Sequence, residues 1–169
     1  MLNNEHPKKP KVIALMGVSG CGKTTVGKSL AQRIKGTFHD ADDFHSRENK
    51  EKMRSGQPLS DLDRKGWLED LSSAMAKWPT ASVHVLACSA LKQSYRDILA
   101  GSGVDIAFVL LNGSRDVIAE RLAARTGHFM NIELLDSQFA ILQEPERALS
   151  VDISKTVDEM VAEIIGAGI

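Results

Sequence analysis

Along the chain, short apolar runs alternate with stretches whose apolar residues recur at helical spacing. Val12 to Met16, Val83 to Cys88 (VHVLAC) and Ala107 to Leu111 (AFVLL) are nearly continuous in apolar character, which is the signature of strands buried on both faces. Thr37 to His39 and Leu149 to Ile153 are shorter β-prone runs of the same kind. Between them, Val26, Leu30 and Ile34 fall four apart, and Val117, Ile118 and Leu122 follow a capping Ser114. Further helical stripes are Ile132, Leu135, Phe139 and Leu142, stopped by Gln143-Glu144-Pro145, and a closing one with Val157, Met160, Val161 and Ile164. Another helix is predicted after Ser89, carrying Lys92, Tyr95 and Arg96. The polar stretch from His45 to Trp67 is broken by Gly56 and Pro58; it predicts a helix over 47–54 and a second, capped by Asp61, running to about Lys77. Strands alternating with helices predict an α/β fold: a five-stranded parallel sheet, helices on both faces and right-handed crossovers. No internal repeat or low-complexity segment interrupts this order.

The first strand and first helix enclose a specific loop. Gly17, Gly22, Lys23 and Thr24 satisfy G-x-x-x-x-G-K-[ST], the P-loop pattern, in which backbone N–H groups and a helix N-terminus surround the oxygens of a triphosphate. Glycine is expected there because a Cβ would meet the phosphates or forbid the backbone angle. In this pattern Lys23 reaches the β and γ phosphates, and the Thr24 hydroxyl is a ligand for Mg²⁺. A glycine turn matching by chance is the alternative, and the flanking strand and helix count against it.

Size and charge narrow the class. A chain of 169 residues, 43% hydrophobic and 25% charged, matches one globular domain. No apolar run approaches the ~20 residues of a membrane span. A net charge of -1 supplies no basic surplus for nucleic acid. The opening residues MLNNEHPKKP are polar and carry two prolines; they are expected to form a disordered tail over 1–10, ahead of a single domain over 11–169. The two cysteines, Cys21 in the loop and Cys88 at a strand end, suit a reducing cytoplasm better than a disulfide. Cys21 reads as a small loop residue, although a helix N-terminus favours thiolates.

Several polar residues fall beyond predicted strand ends, where ligands of open α/β sheets sit. Asp40, Asp42 and Asp43 follow the second strand; they suit Mg²⁺ or a substrate hydroxyl, and equally a helix cap. Asn49, Lys52 and Met53 share one helix face, on either a solvated insert or a substrate-holding flap. Lys92 lies within a turn of the third strand's end, placed to meet anions or to be an ordinary surface lysine. Arg121 and Arg125, four apart, project from one side of a helix; their mutual repulsion invites a polyanion between them unless carboxylates pair with them. His84 reads as a plain strand residue.

The P-loop alone does not name the reaction. The only Asn-Lys pair, Asn49-Lys50, is followed by Glu51-Lys52 and lacks a preceding strand, so it is not the guanine-reading N-K-x-D. Asp63 to Gly66 fits D-x-x-G but lies inside a polar helix. The paired arginines beside the short loop TGHF at 126–129 instead suggest a lid that closes over a transferring phosphate and excludes water.

These residues together resemble the bacterial-type gluconokinases, small P-loop kinases related in fold to shikimate and adenylate kinases. The resemblance runs from about Val12 to the C-terminus. It rests on GVSGCGKTTVG at 17–27, Asp40, Asp42 and His45, and on Asn49, Lys52-Met53, Gly56, Pro58-Leu59, Asp61, Asp63-Arg64 and Trp67. CSALK at 88–92, Tyr95-Arg96-Asp97, Arg121, Arg125, Gly127-His128-Phe129 and Gln143-Glu144-Pro145 complete it. Ser46 departs from it, where these kinases commonly carry proline, and is expected to loosen the start of the segment.

The resemblance implies ATP-dependent, Mg²⁺-assisted phosphorylation of the 6-hydroxyl of D-gluconate, with a P-loop three-layer sandwich, a substrate-binding segment at about 45–67 and a lid at about 121–131. It implies a nucleotide site of Gly17, Val18, Ser19, Gly20, Cys21, Gly22, Lys23, Thr24 and Thr25, with Gln143 and Pro145. Lys23, Asp42, Arg121 and Arg125 would be catalytic, and Asp40 would stand behind Thr24 at the metal. Asp42, His45, Asn49, Lys52, Arg64, Lys92 and Arg96 would hold the acceptor, the cation that meets its carboxylate being left open among Lys92, Arg64 and Lys52. A homodimer in the cytoplasm is expected, without nucleic acid or membrane. The alternatives are a kinase of another small hydroxy acid such as shikimate or of a nucleoside monophosphate, and a nucleotide-binding regulatory protein with no acceptor.

Overall fold

The computed structural model describes residues 8–124 and 132–169. The five strands β1 (Lys11–Met16), β2 (Thr37–Asp40), β3 (Val83–Ala87), β4 (Asp105–Asn112) and β5 (Leu149–Asp152) form one parallel sheet in the order β2-β3-β1-β4-β5. β1 is central, so the loop that follows it opens at the middle of the carboxyl edge.

Side chains alternate across each strand and feed two cores. Ile13, Leu15, Val85, Val109, Leu111 and Val151 pack beneath α1 (Lys23–Arg33) and α7 (Val157–Gly166), which contribute Val26, Leu30, Met160, Val161 and Ile164. On the other face Val12, Met16, Leu86 and Leu110 meet α3 (Asp61–Met75) and α4 (Gln93–Ala100) through Leu68, Leu71, Met75 and Leu99. This is the three-layer α/β sandwich expected from the sequence. α5 (Arg115–Ala123) and α6 (Ile132–Ile141) sit at the β4–β5 side and place Ile118 and Leu135 in the first core. α2 (Arg47–Arg54) lies in the polar segment.

Several boundaries differ from expectation. β4 begins at Asp105, because the Asp105 N–H is paired with Pro10 O at 2.9 Å. Pro10, expected in the tail, is therefore part of the fold. The cap of α3 is Ser60 and not Asp61: Ser60 and Asp63 exchange side-chain-to-backbone bonds in a capping box. Lys92 is the N-cap residue of α4 and lies outside its first turn. Residues 1–7 of the expected tail fall outside the described residues.

Candidate active site

The loop between β1 and α1 has the geometry of an anion cradle. Gly22 caps α1 in the left-handed region, φ +103°, which a glycine adopts without strain. A Cβ on Gly20 would lie 2.8 Å from Leu122 of α5, so that helix packs directly on the loop. Among the described residues the amides of Gly20, Gly22, Lys23 and Thr24 have no acceptor, leaving the α1 N-terminus free to bind negative charge. Lys23 Nζ donates to Gly17 O at 2.9 Å and Val18 O at 3.0 Å; it lies along its own loop and leaves the amides open. Val18 and Cys21 are buried, and Thr24 and Thr25 are exposed on the first turn of α1. The Ser19 N–H is taken at 2.7 Å by Gln138 Oε1 from α6, and Gln138 Nε2 donates back to Ser19 Oγ at 3.1 Å. Nothing in the spacing of the sequence pairs those two residues.

The end of β2 lies beside this loop. Thr24 Oγ1 donates to Asp40 Oδ2 at 3.4 Å, and Asp40 Oδ1 accepts the Asp42 N–H at 3.1 Å, capping the 3₁₀ turn Ala41–Phe44. Asp40 is thus a cap, and its other oxygen reaches the P-loop threonine. The Asp42 pKa is raised, first by loss of hydration among the surrounding protein atoms and then by the Asp40 charge, while Lys23 pulls it down. Its side chain is 82% accessible, so water screens much of that rise.

His45, at the end of the turn, is buried against Trp67 with ring centroids 4.1 Å apart, and its Nε2 faces Asp42 Oδ1 at 3.8 Å. Burial lowers its pKa, helped by Lys50 and Arg64, and its Nδ1 has no partner among the described residues. Trp67 Nε1 donates to Ala41 O at 2.8 Å, fastening α3 to the turn that presents Asp42.

In the polar segment Asn49 is buried between α2 and α3, donating to Asp63 O at 3.2 Å. Lys52 Nζ contacts both Asp63 oxygens at 2.8 and 2.9 Å. That lysine, with Ser60, holds the Asp63 carboxyl down to about 2. Ser46 does not loosen the segment: its hydroxyl caps α2 by accepting the Asn49 N–H at 3.1 Å, which a proline there would not do.

The CSALK residues form a turn pinned from both sides. Gly17 N–H donates to Ser89 O at 3.2 Å, and Gln143 N–H to Leu91 O at 2.8 Å. Ala90 sits in the left-handed region, φ +43°, a costly state for a residue with a Cβ. Arg96, expected to hold the acceptor, is instead buried: Nη1 donates to Ala90 O and Leu91 O at 2.8 and 3.3 Å, and Nε and Nη2 donate to Gln93 Oε1. Its guanidinium holds the carbonyls of the strained turn and the Gln93 side chain. Gln143, expected at the nucleotide, likewise gives its Oε1 to the Gln93 N–H at 2.6 Å, capping α4, with half-buried Pro145 two residues on. The turn presents Lys92, whose Nζ meets Asp61 at 3.0 and 3.1 Å. Tyr95 OH donates to Asp61 at 2.7 Å, and Arg64 Nη1 lies 3.7 Å from it. Tyr95 and Asp61 stand among the residues that carry the resemblance, yet neither was assigned a role there.

Arg121 Nη2 donates to the carbonyl of Ile153, which ties α5 to the residues after β5. Arg125 and most of the expected lid, 125–131, lie outside the described residues. Among the described residues no group of three His, Cys, Asp or Glu side chains is arranged to hold a metal unaided. The Thr24 hydroxyl and Asp40 carboxylate are hard oxygen donors, and fit Mg²⁺, which keeps several waters and is shared with substrate phosphates. Both cysteines are free and buried, with the Cys88 thiol pushed up to about 12 by burial. Among the described residues no helix is long and apolar enough to cross a membrane.

Comparison with known proteins identifies the family. The family model described as Shikimate kinase matches residues 19–163. A probable gluconokinase of Dictyostelium discoideum is 47% identical, the match covering 95% of this chain and 88% of that protein. The thermoresistant gluconokinase of Escherichia coli is 43% identical over 96% of this chain and 94% of its own length. Among solved structures, a gluconokinase from Sinorhizobium meliloti superposes with a TM-score of 0.83 at 41% identity, covering 94% of this chain and 91% of that one. With its open P-loop, its acidic turn and its pinned CSALK loop, the chain belongs to the shikimate kinase family and, within it, to the gluconokinases.

Proposed function

We propose that this enzyme transfers the γ-phosphoryl group of ATP to the 6-hydroxyl of D-gluconate, giving 6-phospho-D-gluconate and ADP. The observation that carries the reading is the placement of Asp42. Its carboxylate feels the Lys23 charge, it follows Asp40, which reaches the P-loop threonine, and it faces His45, which feels the charge of Arg64. Phosphoryl transfer needs little covalent help, so positioning and charge neutralisation supply most of the rate.

The free amides of Gly20, Gly22, Lys23 and Thr24, together with the Lys23 ammonium, hold the β and γ phosphates. Asp42 accepts the proton of the attacking hydroxyl as the new O–P bond forms and the bond to the β-phosphate oxygen breaks. His45 and Asn49 face the acceptor's hydroxyls. Arg121 and Arg125 are assigned to the charge on the transferring group; Arg121 has further N–H donors beyond the one given to Ile153 O. Thr24 and Asp40 would hold Mg²⁺, which neutralises phosphate charge when bound. We assign the enzyme to the cytoplasm as a homodimer, the usual form of the kinases it resembles.

The test is ATP consumption with gluconate, other sugar acids, shikimate and nucleoside monophosphates as acceptors. Gluconate is expected to give the highest kcat/KM. A preference for any other acceptor, or hydrolysis to water unaffected by all of them, would reject the reading.

A further inference from the structure

Two of the cations expected to meet the acceptor, Lys92 and Arg64, already face a carboxylate. Asp61 stands on the first turn of α3 with its side chain 68% exposed. Water alone would satisfy it, yet the start of α4 gives it two hydrogen-bond donors, Lys92 Nζ at 3.0 and 3.1 Å and Tyr95 OH at 2.7 Å, and Arg64 Nη1, one turn along α3, adds an ion pair at 3.7 Å. Tyr95 is buried, so its hydroxyl is a fixed donor, and Lys92 is carried by the pinned turn. A rigid hydroxyl, an ammonium and a guanidinium around one point make a carboxylate site.

Lys52 offers a contrasting case. Its partner Asp63 also accepts the Ser60 N–H and hydroxyl at 2.9 and 2.8 Å, so removing Asp63 from Lys52 would disturb the capping box that starts α3. Asp61 accepts no such backbone bond. It can leave its three donors by a rotation about its own side chain and remain in the first turn of α3, where negative charge is favoured.

We infer that Lys92, Tyr95 and Arg64 form the subsite for the acceptor's carboxylate, and that Asp61 fills this subsite in the free enzyme and is displaced when gluconate binds. The inference rests on the proposed function and chooses among the cations the sequence left open. Exchanging one carboxylate for another never leaves the buried tyrosine or the two cations unpaired. It also disfavours neutral polyols and sugars, which bring no charge to replace Asp61. The cost is affinity, because the substrate binds only the fraction of molecules whose subsite is vacated.

Steady-state kinetics with Asp61→Asn and Lys92→Met test this. Asparagine keeps the shape and can still accept from Tyr95, but it holds the cations weakly. The KM for gluconate is expected to fall on the order of 3–10-fold, with kcat and the KM for ATP within about twofold of wild type. Lys92→Met is expected to raise the gluconate KM tenfold or more and leave the KM for ATP unchanged. Because removing any nearby negative charge would help an anion bind, a second readout follows Asp61 itself. Carbon-detected NMR titration is expected to show its carboxyl below the ordinary aspartate range in the free protein, where Tyr95 and Lys92 hold it down, and back near that range under saturating gluconate. An unchanged or raised KM in Asp61→Asn, or an Asp61 titration that gluconate does not move, overturns the displacement while wild-type turnover of gluconate leaves the proposed function standing. Failure of the wild-type protein to phosphorylate gluconate overturns both.

Discussion

Gln138 Oε1 accepts the amide N–H of Ser19 at 2.7 Å, across 119 residues of sequence, so the helix that follows the expected lid is fastened to the tip of the phosphate loop. With its second bond, from Nε2 to Ser19 Oγ, one side chain fixes both the main chain and the side chain of a loop residue. Removing it should loosen the loop without touching the core. In Gln138→Leu each lost bond is worth about 1 kcal/mol, so the KM for ATP is expected to rise roughly 5–30-fold. The KM for gluconate should stay near wild type. A fall in melting temperature with unchanged ATP kinetics would make Gln138 a structural tie only.

Lys23 offers a cleaner separation of folding from catalysis. Its ammonium is bonded only to its own loop, at Gly17 O and Val18 O, so Lys23→Ala removes no contact between elements. The variant is expected to melt close to wild type and to lose on the order of 10³-fold in kcat, the scale of one cation at a transferring phosphoryl group. Near-normal turnover would remove the P-loop lysine from the mechanism.

How much of this was readable in the chain differs by kind of residue. The strand, loop and helix around Gly17–Thr24 are written locally, and so is α2, whose bounds match the expected 47–54. The charged residues are another matter. Arg96 and Lys92 have similar surroundings in sequence, yet one is buried under a strained alanine and the other reaches Asp61. A cation's partner is set by the tertiary path of the chain, and spacing carries no record of it. The bonds of Gln143 and Gln138 are unwritten in the spacing for the same reason, since their partners lie on distant elements. Ser60 could have been found: S-x-x-D ahead of the apolar stripe of α3 is a near capping-box pattern, aspartate standing in for glutamate.

Asp42 should leave a mark on the pH dependence of turnover. As base it must be ionised, and its pKa is raised by its surroundings and by Asp40. The acid limb of kcat/KM is therefore expected above the ordinary aspartate value of about 3.9. Asp42→Asn should lower kcat by two orders of magnitude or more, flatten that limb and leave ATP binding nearly unchanged. Loss of ATP affinity alone would assign the aspartate to the nucleotide.

A pair of histidines on β2 and β3 predicts acid sensitivity of the fold. His84 Nε2 lies 2.9 Å from Pro79 O, which can only accept, so its Nδ1 is left to accept from His39 Nε2 at 3.0 Å. His39 stacks on Trp78 at 3.8 Å. Burial, and then His84, lower the His39 pKa, and burial lowers that of His45. The folded protein therefore disfavours the protonated forms of His39 and His45. Their contribution to stability is complete above the unfolded value of about 6.5 and is lost as pH falls through the lower folded values. The melting temperature is expected to drop below about pH 6.5. His39→Phe, which keeps the stack, should be less stable at pH 8 but lose less on acidification. An equal acid loss in the variant would place the effect elsewhere.

Arg96 decides whether the CSALK turn is a scaffold or a contact surface. Its guanidinium is buried, its Nη1 holds the carbonyls of Ala90 and Leu91, and Ala90 stands at φ +43°. Arg96→Met would leave those carbonyls without their donor and the strained alanine without its brace, a loss of about 2–3 kcal/mol. Because Lys92 follows directly, the turn should relax and the gluconate KM should rise together with the fall in the urea midpoint. Arg96→Lys should not rescue either, since an ammonium cannot span two carbonyls and Gln93 Oε1 as a planar fork does. A direct role in holding the acceptor predicts the opposite division: a raised KM at undiminished stability, partly restored by lysine. Measuring both quantities on the two variants separates a residue that shapes the site from one that touches the substrate.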